Sequence, residues 1–192
     1  QKKEYENRSM IRLDGLLKMV NDLLDISRME MQTIHREIKR VCIHEVIASI
    51  LELFQIDINK KGIHVIFDQD EYKQCIKADS DEITRLFTNL ISNAIKYNRE
   101  QGTITIILSL SDDYLLTTIK DSGIGLKPEE KNKLFTEFFR AKNKKTKNIS
   151  GTGLGLSIVK RIVDSYAGKI EVESDYGEGT TFKVFLPTII SN

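Results

Sequence analysis

Residues 79–98 read DSDEITRLFTNLISNAIKYN, and this stretch decides how the rest of the chain is read. Asp79 followed by Glu82 is a capping-box-like start, in which acidic side chains take up the free backbone N–H groups of a first helical turn. Ile83, Leu86, Phe87, Leu90, Ile91, Ala94 and Ile95 recur at helical spacing and form one apolar stripe. Arg85, Asn89, Asn93 and Lys96, spaced by 4, 4 and 3, lie nearly opposite. A merely solvated face is one reading, but such faces favour Glu, Lys and Gln, because Asn is a weak helix former. Two Asn one turn apart give up roughly a few tenths of a kcal/mol each. An amide oxygen is a hard, neutral metal ligand, and a lysine one turn further on suits a phosphate.

Outward from this helix, residues 4–31 read as another amphipathic helix. Met10, Leu13, Leu17, Val20 and Leu24 repeat at spacings of 3, 4, 3 and 4, and Leu16 and Leu23 widen the stripe to the breadth of a helical bundle. Such a helix needs a partner; an extra helix packed on its own domain is the other reading. Ile34–Ile43 alternates like an edge strand, and residues 44–61 read as a helix that stops at Gly62. Strands follow at Ile63–Phe67 and near Ile76. Beyond the central helix, strands near 103–110 and 115–120 flank Ser111-Asp112-Asp113, and a short helix follows Pro128. A helix from about Leu154 to Ala167 ends at Gly168, and strands at 169–174 and 180–186 flank the turn at 177–179. Helices interleaved with hairpins predict an α+β fold with a mixed sheet.

Composition narrows the function. The chain has 192 residues, 29 Lys and Arg against 28 Asp and Glu, and a net charge of +1. That balance excludes a globally basic nucleic-acid binder. With 40% hydrophobic and 30% charged residues, it can bury a core. The 2 cysteines, Cys42 and Cys75, are too few for a disulfide scaffold, so reduced thiols in a cytoplasmic setting are expected. No apolar run approaches a membrane span. The chain starts at Gln1, so it is expected to be a fragment, and its parent could carry a membrane anchor.

Three glycine strings carry further chemistry. Asp121-Ser122-Gly123-Ile124-Gly125-Leu126 follows a strand end; its carboxylate can accept from a ligand amino group, although an ordinary turn uses the same residues. Gly151-Thr152-Gly153-Leu154-Gly155-Leu156 leads into a helix, where backbone N–H groups and the positive dipole end suit an anion. It is neither a Walker A loop nor a Rossmann fingerprint. Arg140, Lys142, Lys144, Lys145 and Lys147 precede it without aromatic interleaving, which fits a basic lid over phosphates better than a nucleic-acid patch. Gly177-Glu178-Gly179-Thr180-Thr181-Phe182 reads as a hairpin turn.

These motifs, in this order, resemble those of the sensor histidine kinases of the GHKL ATP-binding superfamily. NLISNAIKYN is similar to the N box, DSGIG to the G1 box, FTEFFR to the F box, GTGLGLSIVK to the G2 box and GEGTTF to the last glycine motif. RLDGLLKMVNDLLDISRME is similar to the second helix of the dimerisation and phosphoacceptor hairpin. The resemblance implies that residues 1–32 are that helix and 33–192 the ATP-binding catalytic domain. The domain would be a two-layer α/β sandwich, its mixed sheet carrying three helices on one face. It implies Asn93 as a ligand of Mg²⁺, Asn89 and Lys96 near phosphates, Tyr97 lining the nucleoside pocket, and Asp121 accepting from the adenine amino group. Gly123 and Gly125 would lie close to the base, and Thr180 would support Asp121 through a water. Arg140 would reach the γ-phosphate, and Gly151, Gly153, Leu154 and Gly155 would shape the phosphate loop. ATPase branches of the superfamily place a Glu where Asn89 stands, and an amide cannot take a proton from water. The resemblance therefore implies phosphoryl transfer to a histidine rather than rapid hydrolysis. None of His35, His44 and His64 has the acceptor's context, so the fragment is not expected to autophosphorylate. Implied partners are the phosphoacceptor helix of its own or a second subunit, a response regulator receiver domain and, for the parent, a second copy; nucleic acid is not among them.

Overall fold

A computed structural model describes residues 36–67, 75–141 and 151–188, together with residues 10, 13, 15–17, 19–24, 26 and 27. The latter are all helical and are referred to together as α1. Residues 142–150, and with them Lys142, Lys144, Lys145 and Lys147, lie outside the described residues, as do Ile34 and His35.

The central helix, α4 (Ser80–Lys96), sits where its periodicity put it. Asp79 caps it, accepting from the N–H groups of Asp81 at 3.0 Å and Glu82 at 3.3 Å. The reciprocal half of the capping box is replaced. Glu82 turns away to accept from the Tyr166 hydroxyl (2.6 Å) and from Arg36 (3.0 Å), and that same hydroxyl receives the Asp79 N–H at 2.9 Å. Burial raises the Asp79 carboxyl, but the N–H groups of Glu37, Glu82 and Asp81 outweigh it and hold it below the usual range. At the other end of α4, the Lys61 ammonium donates to the carbonyls of Ile95 (2.9 Å) and Lys96 (2.8 Å), which have no partner inside a helix.

Strands β2 (His64–Phe67), β4 (Thr103–Ser111), β5 (Tyr114–Asp121), β7 (Gly179–Pro187) and β6 (Lys169–Asp175) form one sheet in that order. β2 runs parallel to β4 and the other pairs are antiparallel, so the sheet is mixed. Ile104, Ile106, Leu115, Ile119, Phe182 and Val184 fill its inner face. On that face α4 lies between α2 (Ile43–Leu53) and α6 (Gly155–Ser165), and α5 (Pro128–Lys131) is a single turn.

Three expectations need correction. The segment 44–61 is two helices, α2 and α3 (Gln55–Lys61), broken at Phe54, a residue with no helix-breaking chemistry to signal it. β1 (Ile38–Cys42) does not join the main sheet; it pairs with β3 (Cys75–Asp79) in a separate two-stranded sheet. That pairing sets Cys42 opposite Cys75, and the two form a disulfide rather than free thiols. Cysteine count and apolar neighbours could not reveal a bond made by long-range strand pairing.

The predicted stripe of α1 is exposed at Met10, Leu13, Leu16, Leu17, Val20, Leu23 and Leu24. A different face, carrying Met19 and Ile26, packs against the core. Among the described residues no helix is long and apolar enough to cross a membrane.

Candidate functional site

A cavity of about 200 Å³ opens between α4, the segments that follow β5, and the entrance to α6. The outward face of α4 supplies Asn89, Asn93, Lys96 and Tyr97. Asp121 and Gly125 come from the end of β5 and its turn, and Thr180 from β7. Arg140, Gly151, Gly153 and Gly155 close the opposite end. Residues from four distant motifs thus meet because β5 and β7 are neighbours and α6 packs beside α4.

Asp121 is only 6% exposed. Its Oδ1 accepts from the N–H groups of Gly123 (2.8 Å) and Thr180 (3.3 Å), and Oδ2 has no hydrogen-bond partner among the described residues. Burial pushes its carboxyl up to about 6, and the two N–H bonds pull the other way. Thr180 supports Asp121 directly through its backbone N–H, and its hydroxyl pairs with Ser174 at 2.9 Å. Gly123 does not line the cavity. It leaves room for the Tyr97 carbonyl oxygen, which a Cβ would overlap, and the Tyr97 carbonyl in turn accepts from Ile124 N–H at 3.1 Å.

At the other end Asn89 donates through Nδ2 to the Arg85 carbonyl at 3.0 Å. A Cβ on Gly155 would stand 2.6 Å from Asn89 Oδ1, so only glycine lets α6 begin this close to α4. The Asn93 side chain makes no hydrogen bond among the described residues. The Lys96 ammonium lies 5.4 Å from the Tyr97 ring centroid, and burial raises the Tyr97 hydroxyl while Arg140 opposes the rise. Leu154 departs from expectation: it is fully buried behind the loop and does not line the cavity. Its carbonyl instead starts α6, accepting from Ile158 N–H at 3.0 Å.

Sequence reasoning missed the apolar walls, Ile124, Leu126, Leu134, Phe139 and Phe182, and the polar Ser92 and Thr152. Phe182 shows only as an inward position of a strand, and Ile124 and Leu126 only as spacers between glycines. Together they set an apolar wall around the Asp121 carboxylate, which can accept from a donor on a ligand, while amide and cationic groups on the same cavity can meet anionic charge.

A layered sandwich with such a cavity defines a nucleotide-binding catalytic domain. Comparison with known proteins narrows this to a family. The family described as histidine kinase-, DNA gyrase B-, and HSP90-like ATPase matches residues 78–190. The sensor histidine kinase WalK of Bacillus subtilis is 33% identical over 181 residues, covering 91% of this chain and 29% of WalK. The catalytic domain of histidine kinase ThkA superposes with a TM-score of 0.69 at 31% identity, over 79% of this chain and 96% of that domain. ThkA in complex with the response regulator protein TrrA gives 0.77 at 27% identity, over 98% of this chain and 52% of that one. The chain belongs to this family and is an ATP-binding catalytic domain of the sensor histidine kinase type. It spans between 21% and 38% of the curated relatives it matches.

Proposed function

We propose that the cavity holds ATP together with Mg²⁺ and presents the γ-phosphate to a histidine on a helix outside this chain, for relay to a response regulator aspartate. The observation that carries this reading is the polarity of the cavity along its length. Asp121 stands in an apolar slot at one end, and Asn93, Lys96 and Arg140 stand at the other. Asp121 Oδ2 accepts from the adenine amino group while Ile124, Leu126 and Phe182 enclose the ring. Asn93 contributes a neutral oxygen to the metal. Mg²⁺ is usually held by few protein groups together with phosphate oxygens and waters, so Asn93 would be enough of a protein ligand to hold it on the phosphates there. Bound there, the ion neutralises phosphate charge. Lys96 and Arg140 add positive charge where the oxygens of the transferring phosphoryl group carry negative charge.

Asn89 decides between transfer and hydrolysis. Its amide is committed through Nδ2 to the Arg85 carbonyl and cannot deprotonate a water. The nucleophile is then an imidazole nitrogen, which needs no strong base: it bonds to the γ-phosphorus as the bond to the β–γ bridging oxygen breaks, and ADP leaves. The complex of ThkA with TrrA supports a response regulator as the next acceptor. The parent, as in the resemblance, would work as a dimer through its helical hairpins.

The test supplies the phosphoacceptor hairpin, with its histidine, in trans with labelled ATP. Acid-labile phosphate on the hairpin is expected. Absence of transfer at saturating ATP, with both pieces folded, would instead make the chain a nucleotide-binding module.

A further inference from the structure

Helix α1 meets the rest of the chain along Met19, Asp22 and Ile26, away from its exposed apolar stripe. Asp22 is 6% exposed, as buried as Ile26 at 5%. A carboxylate so buried needs partners, and both of its oxygens have one. Oδ2 accepts from the Thr152 hydroxyl at 3.0 Å, and Oδ1 lies 3.4 Å from Arg85 Nη2. Each partner leads to the cavity. The Thr152 oxygen also accepts from the Leu154 N–H at 3.3 Å, which fixes the turn at the start of α6. The Arg85 carbonyl accepts from Asn89 Nδ2 at 3.0 Å. Asn89 and Thr152 both line the phosphate end. One side chain of the N-terminal helix is thereby bonded to both walls of that end.

We infer that Asp22 is a positioning residue of the nucleotide site, and that seating of α1 and binding of the polyphosphate oppose each other through it. The inference rests on the nucleotide reading above. The loop's anion-binding capacity lies in its hydroxyl and N–H donors. One of them, the Thr152 hydroxyl on the cavity wall, is donated to Asp22, and the same oxygen holds the Leu154 N–H behind the loop. That hydroxyl cannot point its proton at a phosphate oxygen while the bond to Asp22 lasts. The Asp22 carboxylate also places negative charge one hydroxyl away from an anion site. Polyphosphate binding therefore loosens the helix, and seating the helix weakens polyphosphate binding by the same factor.

Asp22→Asn in the full 192-residue chain keeps the side chain's shape and removes its charge. Affinity for a non-hydrolysable ATP analogue with Mg²⁺ is expected to rise about fivefold or more. Affinity for adenosine, which has no phosphate, is expected to stay unchanged; a merely structural role would move both alike. In the unmodified chain, the analogue is expected to speed amide hydrogen exchange over residues 10–27, and adenosine is not. This second measurement needs no substitution and stands even if the variant folds poorly. Unaltered analogue affinity in folded Asp22→Asn, an equal change for adenosine, or exchange in α1 that ignores the analogue would each overturn the inference. If the unmodified chain bound neither ligand, the nucleotide reading itself would fail. Binding by the unmodified chain that Asp22→Asn leaves untouched removes only the role of Asp22.

Discussion

Replacing Asp121 by Asn should move stability and binding in opposite directions. Asp121 is buried at the base of the cavity, and burial lifts its carboxyl from 3.8 to about 6 in the folded chain. The folded state thus holds a proton that the unfolded state has already released between those two values. Stability is fully present below about pH 4 and falls as pH rises through about 6, because the ionised form is disfavoured in the cavity. A shift of roughly two pH units corresponds to about 3 kcal/mol at neutral pH. Asn carries no charge to desolvate, and its Oδ1 can still accept from Gly123 and Thr180. The variant should therefore be more stable than the parent at pH 7.5 by about 2–3 kcal/mol, and the gap should close below pH 4. With Oδ1 so engaged, Nδ2 faces the slot and meets the adenine amino group as donor against donor. Affinity for an ATP analogue should fall tenfold or more, about 1.4 kcal/mol or more. Urea unfolding at a series of pH values reads the first effect and titration calorimetry the second. A variant no more stable than the parent at pH 7.5, or one that binds the analogue as tightly, would refute the reasoning for that half.

The remaining predictions concern the frame that holds the site. Cys42 and Cys75 are 33 residues apart, and a loop of that size should contribute about 3–4 kcal/mol through restriction of the unfolded chain. Cys42→Ser should lower the urea midpoint accordingly, and a reducing agent should have the same effect on the parent but none on the variant. Tyr166→Phe removes the hydroxyl that joins Glu82 to the Asp79 N–H and leaves both groups short of a partner. It should cost about 2 kcal/mol, read by thermal unfolding, with the melting temperature down by several degrees.

Much of this site could be seen in the sequence because its signals are local. The Asn89, Asn93 and Lys96 row follows from helical period alone, and the glycine strings mark places where backbone must come close to something. What could not be seen depends on pairing across the fold. Leu154 sits among cavity-forming glycines, yet an apolar side chain at a helix start turns to the core. Thr180 reaches Asp121 through its main chain because β5 and β7 pair Asp121 with Thr180 in register. β1 and β3 leave the main sheet, and their disulfide appears only once their strands are set side by side. Asp22 lies off the apolar stripe of α1, so the periodicity that marks a face for another helix carries no signal for the contact with the domain.

The most direct measurement is a titration of the unmodified chain and of Asn93→Ala with a non-hydrolysable ATP analogue, each with and without Mg²⁺. The account expects Mg²⁺ to tighten binding to the unmodified chain, and that Mg²⁺-dependent gain to vanish in Asn93→Ala while the fold persists. Binding that ignores Mg²⁺, or a gain that survives the loss of Asn93, would contradict it.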